Sequence, residues 1–290
     1  MTPTLPLSAN ARAALLAILA CAAFGGMGAL AKAVNGEGMG PTIHPLQIVA
    51  CRFLFGFLTV VPIAAASGRL RFRTRILHWH VARVLCGVSG VAGIFVAVRH
   101  LPVADVTAIS FSSPLFTLVI AALFLGEAVS RRRWFAAAVG FAGVLVIVQP
   151  GGTAFGPASL IALATAFIIG LEMAIIRRLA RQDPPMMIVL SSNTLGSLVG
   201  LGLAAVVWVW PTPEQWPLLI AVGSLTMLGQ LMFARASALG EASLVAPFTY
   251  ASILFATVYG VVFFGEVPGW TLFAGVGLLV AGGIAMQRSG

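Results

Sequence analysis

Ten apolar segments, separated by short polar stretches, take up most of this 290-residue chain. Nine of them approach the roughly 20 residues that an α-helix needs to cross a bilayer, and the fifth is shorter. Only 9% of all residues are charged, whereas a soluble domain carries about 25%. The sequence therefore predicts an all-α integral membrane protein with ten transmembrane helices. The predicted spans 1 to 10 are Arg12–Val34, His44–Ala66, His78–Val98, Val103–Leu125, Trp134–Val148, Phe155–Arg177, Pro185–Trp208, Gln215–Ala238, Ser243–Phe264 and Gly269–Met286.

Two motifs recur in the same order and indicate an internal repeat. The sequence F-x-G-E closes span 4 at Phe124–Glu127 and span 9 at Phe263–Glu266. Each copy leads into A-x-V-G, at Ala137–Gly140 and at Ala274–Gly277. We therefore expect two related five-helix repeats, residues 1–149 and 150–290. Because a segment resembling a signal peptide lies inside the first repeat, we expect it to be retained as a helix.

The basic residues give the orientation of the predicted spans. Thirteen of them precede span 1 or lie at the ends of even-numbered spans, whereas only Lys32 and Arg99 lie in the opposite loops. The positive-inside rule then places both termini in the cytoplasm of a multi-pass protein of the bacterial inner membrane. Since each repeat has five spans, the second repeat enters the membrane from the other side, and the two repeats are inverted. The thirteen are Arg12, Arg69, Arg71, Arg73, Arg75, Arg131, Arg132, Arg133, Arg177, Arg178, Arg181, Arg235 and Arg288.

The ordered set of motifs over the whole chain resembles the EamA family of the drug/metabolite transporter superfamily. The resemblance lies in His44–Phe53 with its Arg-Phe pair, Arg83 in span 3, Leu101–Phe116, Ala246–Tyr250 and the two Gly-Glu pairs. It implies a ten-helix carrier whose central cavity is lined by spans 1–4 and 6–9, with spans 5 and 10 outside. The resemblance also implies a transport function, since the chain is similar to exporters of amino acids and other metabolites and to importers of riboflavin or S-adenosylmethionine.

We accordingly expect a secondary transporter that moves a small organic metabolite across the inner membrane by alternating access, as an exporter of amino acids or related metabolites. Import of a vitamin or cofactor such as riboflavin or S-adenosylmethionine is the alternative, and a non-transporting receptor or scaffold is the alternative from another class. The expected partners are the substrate and the lipid bilayer, without nucleic acid. Coupling to protons or to a counter-substrate, and a monomer or a homodimer, are open alternatives.

Two charged residues inside the spans are the first candidates for substrate binding. Arg52 lies eight residues into span 2, about 12 Å below the outer surface at 1.5 Å per residue. Glu172 lies in the inner half of span 6. A charge at such a depth costs a few kcal/mol unless it is paired or reaches water. The alternative roles are a structural ion pair for Arg52, and a pair with Arg177 or Arg178 for Glu172.

A polar patch on spans 4 and 9 is the second candidate. Pro114 and Pro247 interrupt the backbone hydrogen bonds there, so that nearby side chains or substrate can satisfy the freed carbonyls. The alternative is hydrogen bonding between helices. The candidates on these spans are Ser110, Ser112, Ser113, Thr249, Tyr250 and Ser252, and Asn193 and Gln230 are added from spans 7 and 8.

The remaining polar residues are assigned to structure. We expect Lys32 and Arg99 to reach the bilayer surface with their long side chains, and Glu127 and Glu266 to hold turns. His78 and His80 offer too few ligands for a metal site. The motifs HExxH and GxSxG are absent from the sequence, so we expect no catalytic residue, no metal and no cofactor.

Overall fold

The computed structural model describes residues 9–68, 74, 76–124, 130–149, 156–179, 182–239 and 251–287. These residues form helices and the loops between them, without a β-strand. Seven of the described segments are long and apolar enough to cross a membrane, and three shorter apolar helices accompany them. The protein is therefore a multi-pass membrane protein. The helices are α1 (Ala9–Ala33), α2 (Pro45–Ala66), α3 (Leu77–Ala97), α4 (Val103–Ser110), α5 (Ser113–Phe124), α6 (Arg131–Val148), α7 (Pro157–Leu179), α8 (Pro185–Ala204), α9 (Gln215–Leu239), α10 (Ala251–Phe264) and α11 (Trp270–Gln287), with a 3-10 turn at Ala205–Val207.

The predicted span 4 is divided in two, which corrects the expectation of one continuous helix. Helix α4 ends at Ser110 and α5 begins at Ser113. Pro114 has no N–H to donate to the carbonyl of Ser110, so the regular ladder cannot continue through this point. The chain instead tightens, and the Ser112 N–H donates to the Ile109 carbonyl at 2.9 Å.

Eight of the predicted spans pack side by side in a closed ring. Around the ring, the order is α1, α9, α2, α8, α3, α7, the α4–α5 unit, α10 and again α1. Helices α6 and α11 pack against each other and contact the ring through α4 and α5. Among the described residues, α6 and α11 therefore lie beside the ring and are not members of it.

Small residues allow these helices to approach closely, as expected for a membrane interior. A Cβ atom on Gly196 of α8 would lie 2.4 Å from the ring of Phe53 on α2. A Cβ atom on Gly143 of α6 would lie 2.5 Å from the carbonyl oxygen of Gly275 on α11. A Cβ atom on Gly200, one turn further along α8, would lie 3.0 Å from Cα of Ala50 on α2, so both glycines let α8 approach α2.

Candidate functional site

A charged cluster joins α2, α3 and α7 inside the ring. Arg83 Nε lies 3.5 Å from Glu172 Oε1, and the two side chains are 11% and 18% exposed. Arg83 also donates from Nη1 to the Ile188 carbonyl of α8 at 2.9 Å. Gly87, one turn after Arg83, leaves room for the carboxylate, since a Cβ there would lie 3.4 Å from Glu172 Oε1. Glu172 is therefore held by an arginine from another helix.

Arg52 completes this cluster from α2. Its electrostatic neighbours are Glu172 and Arg83, and its guanidinium carbon lies 4.6 Å from the centre of the Phe53 ring. Its Nε is buried and has no hydrogen-bond partner within the described residues. Arg52 and Glu172 thus lie within electrostatic range of each other without a direct ion pair, and Arg83 lies between α8 and the carboxylate.

Glu172 has a different partner from the one considered in the sequence. Arg178 lies over the ring of Trp79, with 4.4 Å between the guanidinium carbon and the ring centre, and the side chain of Arg177 is outside the described residues. Because Arg83 and Glu172 are far apart in sequence, the pairing became visible only in the fold. The sequence signal for this pairing is Gly87. A glycine one turn after Arg83 leaves space for a side chain from another helix to approach the arginine.

The serines at the α4–α5 break satisfy local carbonyls. Ser112 is fully buried and donates to the Ile109 carbonyl at 2.6 Å, while Ser110 donates to the Val106 carbonyl at 2.8 Å. Ser113 is buried, and its carbonyl accepts from the Thr117 hydroxyl at 2.9 Å. Pro114 is exposed. This break packs against α7, because the Thr117 hydroxyl also donates to the Gly170 carbonyl at 3.0 Å.

The other polar candidates are dispersed. Asn193 is buried and donates to the Val189 carbonyl at 2.9 Å, and a Cβ on Gly56 would lie 2.6 Å from its Oδ1. Asn193 thus helps to pack α8 against α2. Gln230 is partly exposed on α9. The candidates Thr249, Tyr250 and Pro247 lie outside the described residues, as does Glu127.

One end of the bundle is closed by an ion pair between α1 and the turn after α10. Lys32 Nζ lies 2.5 Å from Glu266 Oε1, and the Val103 N–H at the start of α4 donates to Glu266 Oε2 at 3.0 Å. Glu266 therefore holds the turn, as expected, and also joins three helices. Lys32 and Arg99, both partly exposed, have partners at this end of the bundle, because Lys32 is paired with Glu266 and Arg99 donates to the Ile43 carbonyl.

The other end carries a second polar contact, between α3 and the turn that precedes α8. His80 Nε2 and the Thr74 hydroxyl each lie 2.7 Å from Asp183 Oδ2. Burial by itself raises the pKa of Asp183, but the hydrogen bonds from His80 and Thr74 outweigh it and leave that pKa below its usual value. His80 thus contributes to a tertiary contact. No group of three potential metal ligands occurs in the described parts of the chain.

A cavity of about 1010 Å³ has none of Arg52, Arg83 and Glu172 in its lining. Its walls come from α1, α9, α10 and the loop after α1, and include Gly26, Leu30, Leu225 and Tyr259. Lys32 and Arg99 also line it, so the cavity reaches the end of the bundle at which Lys32 is paired with Glu266.

Ionisable residues within a bilayer commonly mark substrate or ion pathways, so the charged cluster fits a membrane transporter. The model of the EamA-like transporter family matches residues 11–149 and again 156–286. This chain belongs to that family, which confirms the resemblance. The predicted transporter of a small metabolite agrees with the relatives that the chain matches.

Three relatives illustrate the family. A riboflavin transporter of Vibrio cholerae is 30% identical over 80% of this chain and 79% of the relative. The pseudopaline exporter CntI of Pseudomonas aeruginosa is 31% identical over 95% of both chains. An S-adenosylmethionine uptake transporter of Rickettsia bellii is 25% identical over 86% of both. One solved crystal structure, 22% identical, shares the fold with a TM-score of 0.63 over 96% of this chain and 97% of the other.

Proposed function

We propose that this protein is a secondary transporter of the bacterial inner membrane that exports amino acids or related metabolites by alternating access. In this proposal ten helices form two inverted repeats, residues 1–149 and 150–290, and both termini lie in the cytoplasm. The observation that carries the proposal is the cluster of Arg52, Arg83 and Glu172 within the spans. Charges are costly at that depth, and substrate binding gives a reason for retaining them.

The helix packing supports the inverted repeat. Exchanging the repeats replaces α1 by α7, α2 by α8, α3 by α9, the α4–α5 unit by α10, and α6 by α11. The contact between α1 and α9 then becomes the contact between α7 and α3, and α2 with α9 becomes α8 with α3. The pairs α2–α8, α4–α10 and α6–α11 each map onto themselves. Every contact of the ring therefore has its symmetric counterpart.

The polar contacts at the two ends fit the same symmetry. At one end, Gln215 in the first turn of α9 donates to the Val34 and Pro41 carbonyls beside the α1–α2 loop. At the other, His80 near the start of α3 contacts Asp183 in the α7–α8 turn. Under the exchange of repeats these are equivalent positions on opposite sides of the membrane. Alternating access requires one end to open while the other stays closed, so these contacts are expected to break in turn.

The direction of transport and its energetic coupling each have a second candidate. The named relatives include both an exporter and uptake transporters, so import of a vitamin or cofactor, such as riboflavin or S-adenosylmethionine, is the alternative direction. Glu172 is the candidate for proton coupling, and exchange against a counter-substrate is the other candidate. A receptor or scaffold that binds a ligand without moving it is the alternative from another class. No catalytic role is proposed for any residue.

The test compares metabolites inside and outside cells that overproduce the wild-type protein or Arg52→Ala. A compound depleted inside and enriched outside only with the wild type supports export and names the substrate. The reverse shift supports import and rejects export. Unchanged pools, with both proteins at equal amounts in the membrane, count against transport and favour the scaffold.

A further inference from the structure

The charges of the cluster do not balance. Glu172 is paired with Arg83 at 3.5 Å, and Arg83 is further fixed by the Ile188 carbonyl. These two charges compensate each other. Arg52 forms no ion pair with any described residue, and its Nε is buried without a hydrogen-bond partner there. The cluster therefore carries one uncompensated positive charge.

The chain has few acids that could supply the missing charge. It contains eight Asp and Glu residues in all. Three of them have basic partners, namely Glu172 with Arg83, Asp183 with His80 and Glu266 with Lys32. Glu37 and Glu214 lie in exposed loops, and Asp105 lies in the first turn of α4. Glu127 and Glu241 fall between predicted spans and lie outside the described residues. Glu172 is the only acid well inside a predicted span.

We infer that Arg52 binds a carboxylate of the transported metabolite, which rests on the transport function proposed above. An arginine guanidinium presents paired N–H donors that match the two oxygens of a carboxylate. One carboxylate placed at Arg52 supplies the single negative charge that the cluster lacks, whereas a doubly charged phosphate would leave an excess of the opposite sign. In a zwitterionic ligand such as an amino acid, the ammonium group must then lie away from Arg52. The ring of Phe53 supports one side of the guanidinium, so its plane is positioned before the ligand arrives. The ligand class is thus an amino acid or a related compound with a free carboxylate.

Matched probe pairs test this inference through binding. The full chain in detergent is titrated with the twenty amino acids and S-adenosylmethionine, and with decarboxylated analogues such as phenethylamine, cadaverine and decarboxylated S-adenosylmethionine. Riboflavin serves as a probe without a carboxylate, and the readout is the ligand-dependent rise in thermal stability. We expect at least one carboxylated probe to bind at least tenfold more tightly than its decarboxylated analogue.

The variants connect that preference to Arg52. Arg52→Gln is expected to reduce the preference to less than twofold, whereas Arg52→Lys keeps the charge and retains part of it. Arg178→Gln, which removes an exposed arginine near Trp79, is the matched control and keeps the full preference. Since the preference is a ratio within one variant, a general loss of folded protein does not imitate the effect.

Four results would overturn the inference: binding of no carboxylated probe, equal binding within pairs, a preference that survives Arg52→Gln, or binding of riboflavin alone. Flux is measured separately in proteoliposomes with the same compounds. Carboxylate-selective binding without flux rejects the proposed transport but keeps the binding site. Flux without carboxylate preference rejects the site but keeps transport.

Discussion

Glu172→Gln removes the acid of the buried cluster while keeping the shape of the side chain. The pair that it breaks spans 3.5 Å between side chains that are 11% and 18% exposed. An exposed pair would be worth about 0 to 1 kcal/mol. At this burial the relevant class is the buried ion pair, whose disruption costs about 3 to 5 kcal/mol because a charge stays behind without a partner. We therefore expect a loss of about 3 kcal/mol in the free energy of unfolding.

The assay is unfolding in mixed micelles, carried out as a double-mutant cycle with Arg83→Met. Because the double variant removes both members of the pair, it should be more stable than the sum of the single effects by at least about 1 kcal/mol. Glu214→Gln, at an exposed loop position, is the control and should change stability by less than about 0.5 kcal/mol. A single effect as small as the control, or strict additivity in the cycle, would refute the assignment of a buried pair.

Three further predictions concern packing and the two ends. Gly143→Ala places a methyl group 2.5 Å from the Gly275 carbonyl and should cost about 1 to 3 kcal/mol in unfolding experiments, whereas Gly202→Ala, with nothing within 4 Å, should not destabilise. Glu266→Gln removes the partner of Lys32 and should cost about 1 to 3 kcal/mol; a stability equal to that of wild type would contradict the closing role. The lowered pKa of Asp183 means that its ionised form stabilises the fold above the unfolded pKa of about 3.9. The stability difference between wild type and Asp183→Asn should therefore shrink as the pH falls from about 5 through the folded pKa of Asp183. A stability difference that does not change with pH would contradict the stabilising role of the ionised Asp183 carboxylate.

The helices were largely predictable because hydropathy alone identifies segments that must cross a bilayer. The predicted bounds of span 2, His44–Ala66, differ from α2 by one residue, since polar or charged residues limit both ends. The break between α4 and α5 was signalled by Pro114, but its position at Ser112 depends on which carbonyls neighbouring side chains can satisfy. Such local choices are not encoded in hydropathy.

The candidate site was only partly predictable. Depth and charge singled out Arg52 and Glu172, and the structure places them in one cluster. Arg83 belongs to the family pattern in the sequence, but its pairing with Glu172 depends on the packing of α3 against α7. The contact between Lys32 and Glu266 likewise joins residues that are 234 positions apart. Pairings between distant segments require the fold, because neither partner alone indicates which opposite charge lies nearby.

Counterflow in proteoliposomes tests the central claim most directly. Vesicles containing the purified chain are loaded with the metabolite identified in cells, and uptake of the labelled compound from outside is followed over time. A carrier that alternates its access exchanges internal for external substrate, so the labelled compound should accumulate transiently above equilibrium with the wild type and much less with Arg52→Gln, which alters the proposed binding residue. Binding of the compound without any transient accumulation would contradict transport by alternating access and would favour a receptor.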